Sequence, residues 1–157
     1  MTIKLLAIGK TDSAELRVLF KKYENRLKRY VPFEFEMLPD LKNRKVLTKE
    51  VQKEKEGQLL LQQIKPSDLV VVLDEKGNQF TSKAFSNYLQ KRMNSGIKNL
   101  VFVIGGPYGF SPAVYERCSD QISLSKMTFS HQMIRLFAVE QLYRAYTILR
   151  NEPYHHE

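Results

Sequence analysis

The sequence predicts an α/β fold, a parallel sheet flanked by helices, on three observations. Leu69 to Leu73 (LVVVL) and Val101 to Ile104 (VFVI) are apolar without alternation, the pattern of strands buried on both faces. Between such runs, apolar residues recur at three- and four-residue spacing, as amphipathic helices require. The second run enters IGGPYG, a glycine loop at a strand end, which is where α/β proteins bind ligands.

Ile3 to Gly9 (IKLLAIG) reads as the first strand, closed by a glycine. The next helix is expected to take Asp12 as N-cap, with Glu15 three residues on, and to turn Leu16, Leu19, Phe20, Tyr23, Leu27 and Tyr30 inward. Its other face carries Lys21, Lys22, Arg26, Lys28 and Arg29. Val31 and Pro32 end it, and Phe33 to Leu38 (FEFEML) alternates as a second strand does. Lys42 to Lys55 is dense in charge and is expected to be a mobile loop, the least ordered part of the chain, leading into a helix that runs to about Ile64.

After the break at Pro66 to Asp68 comes the LVVVL strand, and Asp74 to Asn78 (DEKGN) is expected to form a polar turn. Phe85, Leu89 and Met93 share one face of a helix that Ser95 and Gly96 stop. Ser111 and Pro112 start a short helix ending near Arg117, and Gln121 to Leu124 fits a fifth strand. The last helix, from His131 or Gln132 to about Arg150, has two apolar stripes. Ile134, Phe137, Ala138, Ala145, Ile148 and Leu149 form one, and Leu136, Val139, Tyr143 and Tyr146 the other. One stripe docks a helix on its sheet; the second needs a subunit interface or burial within the monomer. The polar line Glu140, Arg144, Thr147 and Asn151 would border a cleft between subunits.

The net charge is +8, and residues 1–65 hold 15 Lys/Arg against 9 Asp/Glu. That excess suits a polyanionic partner, most simply nucleic acid, and also a solvated basic face. No basic leader precedes the first strand, and no apolar run reaches the ~20 residues of a membrane helix, so no membrane association is expected. The lone Cys118 forms no disulfide framework, which makes a cytoplasmic location the expectation.

Several chemistries are excluded. The chain has no GxxxxGK[ST] phosphate loop, its first strand does not open into GxGxxG, and no Ser or Cys sits in a nucleophile elbow. None of the three histidines is spaced with Cys118 as a zinc set, so no metal is expected. What remains is a glycine loop able to hold an uncharged or cationic small molecule, beside a basic face.

IGGPYGFSP, SLSKMTFSHQMIR and EQLYRAYTILRNEPYH, in that order, resemble the RlmH family of bacterial 23S rRNA pseudouridine-N3 methyltransferases, of the SPOUT class. IKLLAIGK, KEKEGQ and VVLDEKG extend the resemblance over the whole length. It implies a single SPOUT domain over residues 1–157, a trefoil knot in the C-terminal half, S-adenosyl-L-methionine bound in the knot, and a homodimer. Carried over by residue, the cofactor site is Leu73, Gly105 and the segment Leu124, Ser125, Lys126, Met127, Thr128 and Phe129. Adenine can be read there by backbone groups between apolar walls.

The resemblance also implies that Tyr154 and His155 of the tail and Arg144 of the last helix shape the target site, across the dimer interface. His155 would accept the N3 proton, Arg144 would stabilise the developing anion or grip a phosphate, and Tyr154 would stack on the base. The implied substrate is 23S rRNA in the assembled ribosome. A non-catalytic RNA- or ribosome-binding factor, and an α/β enzyme using another nucleotide, stand beside this reading. One departure is His156, a weaker base standing where the family commonly has Arg or Lys. His131 matches a family histidine and fits either a helix cap or a functional role.

Overall fold

A computed structural model describes residues 1–156. Five strands form one sheet: β1 (Thr2–Ile8), β2 (Phe33–Leu38), β3 (Leu69–Gln79), β4 (Asn99–Ile104) and β5 (Asp120–Ser123). Their order is β2-β1-β4-β3-β5 and every pairing is parallel. The unalternating runs therefore occupy the centre. Within each, neighbouring residues face opposite layers: Leu5, Val71 and Phe102 enter one core, and Leu6, Val72 and Val103 the other.

Helices α1 (Ala14–Leu27), α3 (Ser82–Asn94) and α5 (His131–Leu149) belong to the first layer, and α2 (Lys49–Gln62) and α4 (Pro112–Arg117) to the second. Helix α5 is tied to α3 by Ser82 Oγ donating to Gln141 (3.1 Å) and to the start of α1 by Gln132, which accepts from the Asp12 and Ser13 amides. Its buried apolar side is Ala138 and Ala145 of one expected stripe, Val139 and Tyr146 of the other, and Leu142 of neither, so the two-stripe division does not hold. Phe137 stays exposed, at 38%. Among the described residues no helix is long and apolar enough to cross a membrane.

Four local expectations need correction. The N-cap of α1 is Ser13, not Asp12: its side chain accepts from the Leu16 amide and donates to Glu15. Both residues make good caps, and one position decides between them. Leu19, expected inside, is 42% exposed and Val18 70%, leaving one side of α1 uncovered. Residues 49–55, expected within a loop, are the first two turns of α2, capped by Thr48 through the Val51 amide.

The fourth concerns DEKGN. Leu73 and Asn78 both partner Ile122, so residues 74–77 leave the ladder and the strand resumes beyond them against β5. A Cβ on Gly77 would stand 2.7 Å from the Gln121 and Ile122 backbone. Only glycine allows that approach. The excursion carries Asp74, Glu75 and Lys76 to the C-terminal edge of the sheet.

Candidate active site

That edge carries a cavity of about 400 Å³. Its walls are the β3 excursion, the loop after β4, the segment after β5 and the first turn of α5. The apolar surfaces are Leu73, Ile104, Leu124, Phe129 and Ile134. In the glycine loop the Gly109 amide donates to the Gly106 carbonyl (3.2 Å), closing a turn around Pro107 and Tyr108. Each glycine has its own cause: Gly105 faces the Phe110 ring, where a Cβ would come within 3.0 Å; Gly106 lies against the Glu56 carboxylate; Gly109 has φ +81°.

Polar groups on the walls hold one another. Tyr115 donates its hydroxyl to Asp74, and burial with that carboxylate pushes the phenol well above its ordinary pKa. Thr128 donates to Glu75 (3.2 Å), pinning the β5 segment to the β3 excursion. Ser123 Oγ donates to the Ser125 carbonyl, and Ser125 Oγ accepts from the Met127 amide. His131 joins the wall, its pKa lowered by burial and by Arg135, which keeps the ring neutral at pH 7. The helix cap is Ser130, through the Met133 amide, so the cap reading of His131 does not hold.

A second cluster lies on α5. Arg144 pairs with Glu140 (2.5 Å), and Tyr154 donates to the same carboxylate oxygen (2.9 Å). The guanidinium stacks 4.7 Å from the Tyr154 ring centre and stands 3.4 Å from His155 Nδ1. Burial and hydrogen bonds to Tyr23 and Glu140 push the Tyr154 phenol well above its ordinary pKa, so it stays a donor. Tyr30 donates to Glu152 (2.5 Å), and Tyr143 packs on Tyr154, so the tail is docked on α1 and α5 of its own chain. Ile134 and Arg144 are ten residues apart on one helix, roughly 15 Å along its axis. The tail cluster lines no part of its own chain's cavity.

The family described as "Predicted SPOUT methyltransferase" matches residues 1–155. The chain belongs to that family. Its relatives include proteins named "Ribosomal RNA large subunit methyltransferase H": that of Christiangramia forsetii is 64% identical over 99% of both chains. Those of Parabacteroides distasonis and Flavobacterium psychrophilum are each 60% identical over 100% of both.

A SPOUT methyltransferase uses S-adenosyl-L-methionine, and the cavity fits that group. It has apolar walls, it has glycines where a ligand meets backbone, and Asp74 and Glu75 in its lining suit a cation better than a phosphate. Of the expected cofactor residues, Leu73, Gly105, Leu124, Ser125, Met127, Thr128 and Phe129 all line it, and Lys126 does not. Arg144, Tyr154 and His155 do come together, in a separate place.

Three contributors escaped the sequence reading. Glu140, read only as a cleft border, holds both Arg144 and Tyr154. Arg135, 1% exposed, donates to the Ile8 carbonyl (2.6 Å) and to Thr11 Oγ1 (3.0 Å), fastening the start of α5 to the end of β1. Glu56, 2% exposed, lies behind the glycine loop. The i, i+4 spacing of Glu140 and Arg144 signals the first; Glu56 is hidden in a charged stretch, and Arg135 stands alone among apolar residues, the one sequence sign that it is enclosed.

Proposed function

We propose that the chain is an S-adenosyl-L-methionine-dependent methyltransferase acting on N3 of a pseudouridine in 23S rRNA of the assembled ribosome, in the cytoplasm. It works as a homodimer that joins the cavity of one subunit to the tail of the other. The observation carrying this reading is the roughly 15 Å along α5 between the cavity and the Arg144 cluster. Within one chain the groups suited to a uracil ring do not reach the donor's cavity. The uncovered Val18, Leu19 and Phe137 supply apolar surface for a second copy. The trefoil knot belongs to the same reading, since it would bring the loops after β3, β4 and β5 around one ligand.

When bound, the cofactor supplies an electrophilic methyl group on a sulfonium. The chain's own work is alignment and proton handling. Leu73, Gly105, Leu124 and Phe129 hold the donor in a slot that excludes water. Arg144, oriented by Glu140, places its charge beside the imide that forms when N3 loses its proton. His155 receives that proton at Nδ1 as Arg144 turns from the imidazole to the base. Tyr154 offers its ring as a stacking face.

Transfer of labelled methyl tests the proposal. Ribosomes from a strain lacking this gene should take up one methyl per particle, and ribosomes already modified none. Cofactor binding without transfer to unmodified ribosomes would leave a ribosome-binding factor instead.

A further inference from the structure

We infer that Glu56 gives the cavity its preference for the cationic methyl donor over the uncharged thioether left after transfer. The inference rests on the cofactor reading above. Glu56 sits on the inner side of α2. Gln52, one turn earlier, donates to Oε1 at 2.9 Å. Oε2 is buried and accepts no hydrogen bond. That oxygen is aimed at Gly106, where a Cβ would overlap the carboxylate. Gly106 is part of the cavity wall. A single residue without a side chain therefore separates a buried, half-satisfied carboxyl group from the ligand space.

Among the described residues no cation forms an ion pair with it. Arg44, in the connection from β2, is a basic group that acts on it, and its guanidinium is paired with Asp40 at 2.7 Å. Asp40 opposes ionisation of Glu56, and Arg44 and Gln52 favour it. From α5, His131 and Arg135 share the fields of Asp40 or Arg44, and His131 is held neutral. From α4, Ser111 and Val114 meet Gly57, next along α2. Burial is the largest influence and raises the carboxyl's pKa.

An unpaired buried carboxylate is costly, and a cation on the far side of Gly106 offsets that cost. Asp74 and Glu75 line the same cavity and add to the field, one oxygen of each accepting from the Tyr115 or Thr128 hydroxyl. Donor and product differ only at sulfur: the donor carries a methyl group and a positive charge there, and the product carries neither. Methyl transfer thus removes the charge that Glu56 holds, which favours release of product over donor. Glu56 does not touch the ligand and acts through the field behind the loop.

Calorimetry on the intact dimer with S-adenosyl-L-methionine and with S-adenosylhomocysteine, for wild type and Glu56→Gln, decides the matter. Glutamine keeps the length and the bond from Gln52. The variant should lose about tenfold in donor affinity, with product affinity within about twofold and an unchanged thermal midpoint. In wild type the donor-to-product ratio should fall as pH is lowered and the carboxyl takes up a proton. Equal losses for both ligands in Glu56→Gln would place Glu56 in loop folding alone and overturn the inference. Should Glu56→Gln fail to fold, a wild-type ratio constant with pH overturns it. Failure of wild type to bind either ligand overturns the cofactor reading itself.

Discussion

The cavity at the sheet edge and the C-terminal cluster share helix α5, yet they are held by different means. The cavity is framed by three strand ends and the first turn of α5, and its walls are tied by Tyr115–Asp74, Thr128–Glu75 and the turn at Gly106. Its geometry is fixed by the sheet. The tail cluster depends on one carboxylate, Glu140, a ring contact and the Tyr30–Glu152 bond. Removing the tail should leave the sheet intact, whereas filling the glycine loop disturbs everything around it. On the proposed reading, donor binding is built into the core and target chemistry into the cluster around Glu140.

The largest expected effect follows from that division. A chain ending before Pro153 should lose at least about 100-fold in methyl transfer, the scale of lost proton handling, while keeping cofactor affinity and thermal midpoint. Parallel loss of cofactor binding would mean that the two regions are not separable. The division can be sharpened by mixing. Gly106→Val, which drives the glycine loop away from the Glu56 carboxylate and so distorts the cavity wall, and Arg144→Ala should each be inactive alone. Subunit exchange between them should restore about a quarter of wild-type activity, because half the dimers then carry one intact composite site. No recovery would place cavity and tail of the same chain in one site.

Much of this was legible in the sequence, and what was not has physical causes. The central strands declare themselves because burial on both faces demands unbroken apolar runs. The glycine loop after β4 was legible as a ligand loop from its composition, and the positions on β3 and after β5 came from the family resemblance. Gly77 was hidden because its need is set by β5, 44 residues further on, and a lone glycine among Asp, Glu and Lys looks like a turn. Glu56 and Arg135 were hidden because charged residues read as surface until the fold encloses them. The tail's fold onto Glu140 depends on long-range packing that a short polar stretch does not encode.

A glycine in the cavity wall and one remote from it should respond differently. Gly106→Ala forces its new carbon into the Glu56 carboxylate, at about 1–3 kcal/mol. That corresponds to a lower thermal midpoint by roughly 2–4 °C per kcal/mol. Gly96→Ala, with φ +75° and open space around it, should cost about 1–2 kcal/mol through backbone strain alone. Only the first should weaken S-adenosyl-L-methionine binding in calorimetry. A matched loss in Gly96→Ala would make the effect one of global stability.

The smallest effect reports on how the tail is docked. Tyr30 has its pKa pushed up to about 12, first by its hydrogen bond to Glu152 and then by burial. A folded-state pKa above the unfolded value of about 10 means that the bond's contribution is fully present below pH 10. It is lost as pH rises to 12. Because the hydroxyl is largely solvated, screening holds that contribution below about 1 kcal/mol. Wild type should therefore exceed Tyr30→Phe slightly in urea midpoint at pH 9, with the gap closing by pH 12. Methyl transfer at pH 8 should fall less in Tyr30→Phe than in the truncated chain, since Glu140 still holds Tyr154. A gap that stays constant with pH would show that the hydroxyl does not secure the tail, leaving Glu140 as its anchor.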